Sequence, residues 1–176
     1  MAAEDHHHGH REYRFCPCCG GGLARRRLKA HEPERLVCGK CTFVFYLDPK
    51  VVAGTVFAVD GGVALLRRGI EPARGKWVFP GGYVDRGESV PDAAVRETKE
   101  ESDLVVRLGS LVGVYSYPQK RDVVVVYAAE VIGGELKPLD ECVEARTFKP
   151  SVIPWDDLAF PSTRAALSDY LRLYWK

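Results

Sequence analysis

The stretch from Gly82 to Leu104 constrains the fold of this chain more than any other part of the sequence. It predicts a helix over Val90–Ser102, because Ser89 is a good N-cap and Pro91 suits the first turn, where a missing N–H costs nothing. One stripe of this helix carries three apolar residues and then two acids, with Glu100 at its edge: Val90, Ala93, Ala94, Glu97 and Glu101. The apolar stripe therefore ends in carboxylates.

Carboxylates on an apolar stripe need a counter-charge, since a solvated helix would place its acids on the opposite face. Oxygen ligands with partial access to water suit Mg²⁺ or Mn²⁺. The alternative for the helix alone is a surface helix with Arg/Glu pairing. The residues before the helix favour the metal site, because Gly81 and Gly82 predict a tight loop, and they and Gly87 let backbone approach a phosphate without a Cβ in the way.

The spacing of polar residues in this stretch is regular. Gly82 is followed after five residues by Glu88, and after seven more by the run RETKEE at Arg96–Glu101. This pattern resembles the Nudix box, the signature of hydrolases that act on nucleoside diphosphates linked to another group. Two positions depart from it, since the family usually has an aliphatic residue in place of Thr98 and glycine in place of Asp103. Aspartate tolerates the left-handed conformation expected where the chain leaves the helix, so we expect local strain and unchanged chemistry.

Composition narrows the class of protein. The chain has 176 residues, 46% of them hydrophobic, and a formal charge of +1, which fits one ordinary domain plus a small appendage. No apolar run approaches the roughly 20 residues of a membrane span, and the near-neutral charge gives no field for steering toward nucleic acid. We therefore expect a cytoplasmic protein, with an organelle as an option if a leader has been removed. Its expected partner is a small nucleotide, and a homodimer is left open.

Residues 15–46 predict a zinc ribbon. The chain has six cysteines, and four of them form two CxxC pairs separated by the 18 residues 20–37: Cys16, Cys19, Cys38 and Cys41. At this spacing two knuckles can hold one tetrahedral Zn²⁺, with Cys18 left as a spare thiol. Unliganded thiols are the alternative, but some 30 residues with few apolar groups need a metal to fold. Four equivalent ligands leave no open position, so the zinc is expected to be structural.

Two polar segments flank or interrupt this ribbon. Residues 1–14 predict a disordered tail or a cloning remnant, although its histidine cluster could bind a transition metal: His6, His7, His8 and His10. The basic run Arg25–Lys29 fits either a solvated strand or a contact with phosphate or RNA.

Residues 48–176 predict an α/β sandwich with a mixed sheet, in which strands lie on either side of the box helix and a second helix closes the fold. The expected elements are strands at Val51–Val59, Val63–Arg67, Trp77–Pro80, Leu104–Tyr117 (broken at Gly109 and Gly113), Val123–Val131 and Ala145–Phe148, turns at Asp60–Gly62 and Gly133–Gly134, and a last helix capped by Ser162. The unbroken apolar run Val123–Val126 predicts that its strand is central.

The resemblance extends over most of the chain. The CPxCG-type ribbon, the Pro80–Gly82 turn, the box, Tyr117-Pro118 and the acidic segment before Phe148 together resemble the zinc-ribbon Nudix hydrolases of bacteria and plastids. Relatives in that group act on FAD and ADP-ribose. Another zinc-bearing branch, the NAD(H) diphosphatases, usually carries an SQPWPFPxS-like motif after the box, and Ser110–Tyr115 does not match it.

The resemblance also implies roles for individual residues. It makes Glu97 and Glu101 the principal metal ligands, with Glu100 and the backbone carbonyl of Gly81 as further contacts. Divalent cations would neutralise the pyrophosphate and acidify the attacking water. Arg96 and Glu88 are expected to form an ion pair that holds the Gly82 loop against the helix. Two residues are candidates for the general base, in this order: Glu101 and Glu144.

Three kinds of function stay open. All three box glutamates are present, which favours an active diphosphatase over an inactive ligand sensor. A nucleic-acid-binding ribbon with a passenger domain would need a stronger basic stripe. We expect cleavage of FAD or ADP-ribose to AMP plus FMN or ribose 5-phosphate, with NADH as the alternative substrate. Three aromatic residues fit either stacking on a base or flavin, or ordinary packing: Trp77, Tyr115 and Tyr117.

Overall fold

The computed structural model describes residues 13–175 and divides the chain into two compact units, Met1–Asp48 and Pro49–Lys176. The four clustered histidines of the predicted tail, His6 to His8 and His10, lie outside the described residues. Within 13–175, no helix is long and apolar enough to cross a membrane.

The first unit is built on a three-stranded antiparallel sheet. Its strands are β1 (Leu23–Arg26), β2 (Arg35–Cys38) and β3 (Val44–Phe45), in that spatial order. Two residues assigned to the tail contact this unit: the ring of Tyr13 lies 4.6 Å from that of Phe45, and the carbonyl of Arg14 accepts a hydrogen bond from the N–H of Leu23. Tyr13 and Arg14, which precede the predicted start of the ribbon at Phe15, therefore contact its sheet.

The second unit contains two sheets and two α-helices. Its elements are β4 (Lys50–Val56), β5 (Ala58–Val59), β6 (Gly62–Arg68), β7 (Trp77–Val78), β8 (Gly81–Tyr83), α1 (Val90–Ser102), β9 (Leu104–Ser116), β10 (Asp122–Gly134), β11 (Cys142–Phe148) and α2 (Pro161–Tyr174). One sheet has the order β8-β4-β10-β9 and is mixed, because β10 runs parallel to β4 while the other pairs are antiparallel. The other sheet has the order β11-β6-β5, with β7 paired to β6.

The two helices cover opposite faces of the mixed sheet. On β10, Val126 and Ala128 belong to the core cluster that includes α2, whereas Tyr127 and Ala129 pack with residues of α1. Alternate residues of a strand point to opposite faces, so α1 and α2 must lie on different sides. This is the α/β sandwich with a mixed sheet that the sequence predicts, and β10 is an inner strand as expected.

Local signals at α1 are confirmed in detail. The helix has the predicted bounds, the side chain of Ser89 accepts a hydrogen bond from the N–H of Asp92, and Asp103 ends the helix with φ of 59°. Asp103 therefore adopts the left-handed conformation that was predicted for the position where the family usually has glycine.

Several local predictions are wrong, most of them because the segment pairs with a distant strand. Gly81 and Gly82 form part of β8 rather than a tight loop, because they pair with Gly54 and Ala53 of β4. Strand β9 is unbroken at its two glycines, since shifts of register against β10 absorb the irregularity. The glycines Gly133–Gly134 end β10 instead of forming a separate turn. The N-cap of α2 is Phe160 with no side-chain hydrogen bond, because Pro161 already begins the helix and leaves Ser162 inside it.

Candidate active site

Glu101 is the most deeply buried acid of the predicted site. Its exposed fraction is 6%, and its carboxylate accepts a hydrogen bond of 2.8 Å from the backbone N–H of Gly81. Burial raises the pKa of Glu101 to about 7; the Gly81 N–H acts in the opposite direction, and the charge of Glu97 adds to the rise. An anion in this position lacks a full counter-charge within the protein.

Glu97 lies one turn earlier on α1 and faces the next residue of β8. A Cβ built on Gly82 would lie 2.4 Å from the carboxyl carbon of Glu97 and 2.5 Å from each of its oxygens. The absence of a side chain at this position therefore gives the carboxylate the space that it occupies. Burial raises the pKa of Glu97, opposed by its ion pair with Arg96. Glu97 and Glu101 therefore both lie against the backbone of β8, at Gly82 and Gly81 respectively.

Arg96 ties the acids of the box to the segment before the helix. Its Nε and Nη2 donate to the two carboxylate oxygens of Glu88 at 2.8 and 2.9 Å, and Nη2 also donates to the carbonyl of Tyr83. Its Nη1 donates to Glu97 at 2.7 Å and to Glu100 at 2.9 Å. These contacts use all five N–H donors of the guanidinium, so Arg96 orients the site rather than offering a free donor to a substrate. The side chain of Glu100 is half exposed, at 50%.

In the acidic segment before Phe148, the residue that lies near Glu101 is not the predicted one. Glu144 lies in β11 and forms ion pairs with Arg67 and Arg146, which occupy its carboxylate. Glu141, which the sequence analysis did not choose, is instead close enough to Glu101 for its charge to raise that pKa. The register explains the difference: β11 pairs with β6, and a bulge between Cys142 and Glu144 separates the two acids. No short motif could have revealed this pairing.

Arg68 is a second residue that the sequence analysis missed. Its Nε donates to the carbonyl of Pro72, and its guanidinium lies 5.3 Å from the ring centre of Phe160. Among the residues that the structure describes, no carboxylate forms an ion pair with it. Its positive charge acts to lower the pKa of Glu101. Arg68 therefore brings a positive charge near Glu101.

The three candidate stacking residues have different environments. Trp77 is 6% exposed and packs edge-to-face on Phe148 with ring centres 4.9 Å apart, so it belongs to the core, which favours packing over the stacking on a ligand that the sequence also allowed. Tyr115 packs on the α2 side of the sheet and donates a hydrogen bond of 3.0 Å to Asp169. Tyr117 is 37% exposed and is the one whose ring is most open to a ligand.

The predicted zinc ligands lie together in the first unit. The thiol sulfurs of Cys16, Cys19, Cys38 and Cys41 all lie within 4.8 Å of one another. Three of the Sγ–Sγ distances are 3.3, 3.5 and 3.7 Å. A tetrahedron with Zn–S bonds of about 2.3 Å has edges of about 3.8 Å, so the cluster has the size of a zinc site.

Electrostatics at this cluster also fit a bound cation. The N–H groups of Cys41 and Lys40 point at the sulfur of Cys38 and lower its pKa to about 6. Although the Gly21 N–H favours the Cys19 thiolate, the neighbouring sulfurs of Cys41 and Cys38 raise the pKa of Cys19 to about 12. Four thiolates cannot form side by side without positive charge between them. Cys18, the spare thiol, is exposed.

Comparison with known proteins gives consistent results for both units. Residues 48–172 match the sequence model of the family described as NUDIX domain, and residues 14–47 match that described as Nudix N-terminal. An ADP-ribose pyrophosphatase of Methanocaldococcus jannaschii is 38% identical over 168 residues, which cover 92% of this chain and 96% of that protein. The NAD-capped RNA hydrolase NudC of Pseudomonas aeruginosa is 29% identical, and this chain spans 56% of its length. The crystal structure of a NUDIX hydrolase from Nitrosomonas europaea has a TM-score of 0.86 at 33% identity, with 92% of both chains covered.

Proposed function

This chain belongs to the Nudix family of hydrolases, which act on pyrophosphate bonds, and we propose that its substrate is a nucleoside diphosphate linked to a sugar, with ADP-ribose first and FAD second. Water attacks one phosphorus of the pyrophosphate, the bond from that phosphorus to the bridging oxygen breaks, and AMP leaves with ribose 5-phosphate. The observation that carries the proposal is the buried carboxylate of Glu101, held by the Gly81 N–H beside Glu97.

The donor set fits a hard divalent cation. Glu97, Glu100, Glu101 and the carbonyl of Gly81 offer only oxygen atoms, which suit Mg²⁺ or Mn²⁺. The raised pKa of Glu101 is a further indication, because a nearby cation would provide the counter-charge that this buried carboxylate lacks. When bound, the cation neutralises phosphate charge and acidifies the attacking water. In the first unit, the closed set of four thiols fits a structural Zn²⁺.

The side chains around the metal site orient its acidic ligands and bind the phosphates of the substrate. Arg96 fixes Glu97 and Glu100 through Nη1, and its bonds to Glu88 and to the Tyr83 carbonyl at the end of β8 tie the segment before the helix to α1. Arg68 offers positive charge to the phosphates near Glu101. Glu101 stays the first candidate for the general base, and Glu141 replaces Glu144 as the second, since Glu144 is occupied by two arginines.

ADP-ribose ranks above FAD for two reasons. The relative from Methanocaldococcus jannaschii, which this chain covers almost completely, is named for ADP-ribose. A flavin would gain most from stacking on several exposed aromatic rings, and Trp77 cannot contribute one because it is buried in the core. NADH and a NAD-capped end are the second candidate, favoured by similarity to NudC, although this chain spans only 56% of that protein. The predicted cytoplasmic location and homodimer stay predictions.

The first test is removal of the ligand charges. We expect Glu101→Gln to abolish hydrolysis of ADP-ribose at saturating Mg²⁺, and Glu97→Gln to reduce it strongly, because an amide keeps the shape but loses the charge. Glu130→Gln is the matched control, since Glu130 is exposed on β10 and pairs with Arg107. Unchanged turnover in Glu101→Gln would contradict the assignment.

The second test ranks substrates. Purified protein with Mg²⁺ is assayed side by side on ADP-ribose, FAD, NADH, CoA and a nucleoside triphosphate, with phosphomonoester products identified. We expect the highest kcat/KM for ADP-ribose, then FAD. A preference for NADH over both by about tenfold, or about 1.4 kcal/mol in transition-state terms, would move the chain to the other branch while leaving the reaction class intact. Binding without turnover would indicate a ligand sensor.

A further inference from the structure

Two buried threonines form a hydrogen bond between the box helix and the central sheet. Thr55 of β4 and Thr98 of α1 are both fully buried, and their hydroxyl oxygens lie 2.6 Å apart. Thr98 is one of the two positions at which this chain departs from the Nudix pattern. An aliphatic side chain would pack against β4 without direction, whereas a hydrogen bond fixes both distance and orientation.

The direction of this bond follows from its neighbours. The Thr98 hydroxyl donates its single hydrogen to the carbonyl of Ala94, at 2.7 Å. The hydroxyl of Thr55 must therefore donate to that of Thr98. One turn later, Ser102 is also buried and donates to the carbonyl of Thr98. The hydrogen bonds therefore run from the Thr55 hydroxyl through the Thr98 hydroxyl to the carbonyl of Ala94, and the Ser102 bond to the Thr98 carbonyl is a separate buried contact on the same helix.

This bond joins the two halves of the proposed metal site. On the sheet side, Thr55 follows Gly54, the residue that pairs with Gly81 of β8, and the Thr55 N–H donates to the carbonyl of Pro80. On the helix side, Thr98 directly follows Glu97 and lies one turn before Glu101. The glutamates come from α1, and the backbone atoms that face them come from β8, which is itself carried by β4. The separation of α1 from β4 therefore sets the size of the metal site.

We propose that Thr55 and Thr98 are positioning residues for the divalent cation, and that their hydrogen bond holds Glu97 and Glu101 at the required distance from the Gly81-Gly82 backbone. This inference rests on the proposed function. Neither threonine touches the carboxylates or a substrate, so both act through the placement of the helix. The tolerance is small, because the Glu97 carboxylate already fills the space beside Gly82.

The test removes the bond from each side. Thr55→Val leaves the Thr98 hydroxyl bonded to Ala94, whereas Thr98→Val leaves the buried Thr55 hydroxyl without its acceptor. We therefore expect Thr98→Val to lower the melting temperature more than Thr55→Val does. If the bond positions the site, both variants and the double variant weaken Mn²⁺ binding by a similar factor of about three to ten. Thr98→Ser keeps the hydroxyl and should restore the affinity.

Mn²⁺ binding is measured by electron paramagnetic resonance on the substrate-free protein, with Glu101→Gln as the baseline for binding elsewhere. Kinetics supply a second readout: the KM for Mg²⁺ rises in both valine variants, while kcat at saturating Mg²⁺ changes less. Thr163→Val is the matched control, because Thr163 is a fully buried helical threonine of α2 whose hydroxyl has no hydrogen-bond partner among the described residues. It should leave the Mn²⁺ affinity unchanged.

Two results would overturn the inference. Wild-type Mn²⁺ affinity in both valine variants, with only the melting temperature lowered, would mean that the bond serves stability alone. Equal Mn²⁺ binding in the wild type and in Glu101→Gln would overturn the proposed function together with this inference, so the two failures are distinguishable. If Thr98→Val does not fold, Thr55→Val removes the same bond from the strand side and decides the question.

Discussion

At the scale of single residues, Gly82 is important for the space that it leaves. Its φ is not in the left-handed region, so conformational freedom is not the reason for glycine. We expect Gly82→Ala to lower kcat/KM by about 100-fold, because the new Cβ displaces the Glu97 carboxylate from its place beside Gly82. The control is Gly133→Ala on β10, where a Cβ would meet its nearest neighbour at an ordinary 3.8 Å. Equal kcat/KM values for the two variants, measured under the same conditions, would contradict this account of the site.

Glu101 makes a separate prediction about stability. Its pKa is about 7 in the folded protein against 4.5 for an unperturbed glutamate, so the folded state holds its proton over a pH range in which the unfolded state has lost it. The contribution of this group to the free energy of unfolding is therefore present below pH 4.5 and is lost as the pH rises to about 7. The size of the loss is about 3 kcal/mol.

The measurement is urea unfolding across this pH range, in buffer free of added divalent cations and of chelators. We expect the wild type to lose stability relative to Glu101→Gln as the pH rises, because the amide does not titrate. Saturating Mg²⁺ should remove the difference in slope by stabilising the carboxylate. Parallel pH profiles for the two proteins without Mg²⁺ would show that Glu101 has an ordinary pKa.

At the scale of elements, Arg96 holds the segment Tyr83–Glu88 against α1. Its fork binds both oxygens of Glu88, and this hydrogen-bonded pairing lowers the pKa of Glu88 to about 2. We expect Arg96→Lys to reduce kcat/KM by about tenfold, because one ammonium group cannot replace five directed donors. Stability from the lowered pKa is present above pH 4.5 and is lost as the pH falls toward 2, so the variant should be less sensitive to acid over that range. Arg107→Lys, at an exposed pair with Glu130, is the control and should change neither quantity.

The elements also show what the sequence can predict. The bounds of α1, its Ser89 cap and its left-handed end at Asp103 were predictable, because each depends on neighbours within one turn. The strand at Gly81–Gly82 was not, because it exists through pairing with β4, nearly 30 residues earlier in the chain. The choice of the second candidate for the general base also depends on pairing with a distant strand. Whether Glu141 or Glu144 approaches Glu101 depends on the register and bulge of β11 against β6, and no local pattern records them.

At the scale of the whole molecule, the two units differ in how they are stabilised. The second unit has extensive buried clusters between its sheets and helices. In the first unit, the buried apolar residues among those described are Leu36, Val37 and the cysteines Cys16 and Cys38. So small a core does not support an independent fold, and structural zinc typically contributes an apparent 10–16 kcal/mol, roughly, to such domains. The cysteine cluster is therefore expected to decide whether this unit folds.

The last prediction separates the zinc ligands from the spare thiol. We expect one zinc per chain in the wild type and in Cys18→Ser, because Cys18 is exposed and outside the cluster. Cys38→Ser should lose the zinc, since a serine hydroxyl is a poor replacement for a thiolate ligand. Hydrogen exchange should then show loss of protection in residues 14–47, with protection kept in α1 and the mixed sheet. Metal analysis of freshly purified, reduced protein gives the zinc content. Full zinc and unchanged protection in Cys38→Ser would exclude this four-thiol site, because a tetrahedral centre that has lost one of its four ligands should not keep wild-type affinity.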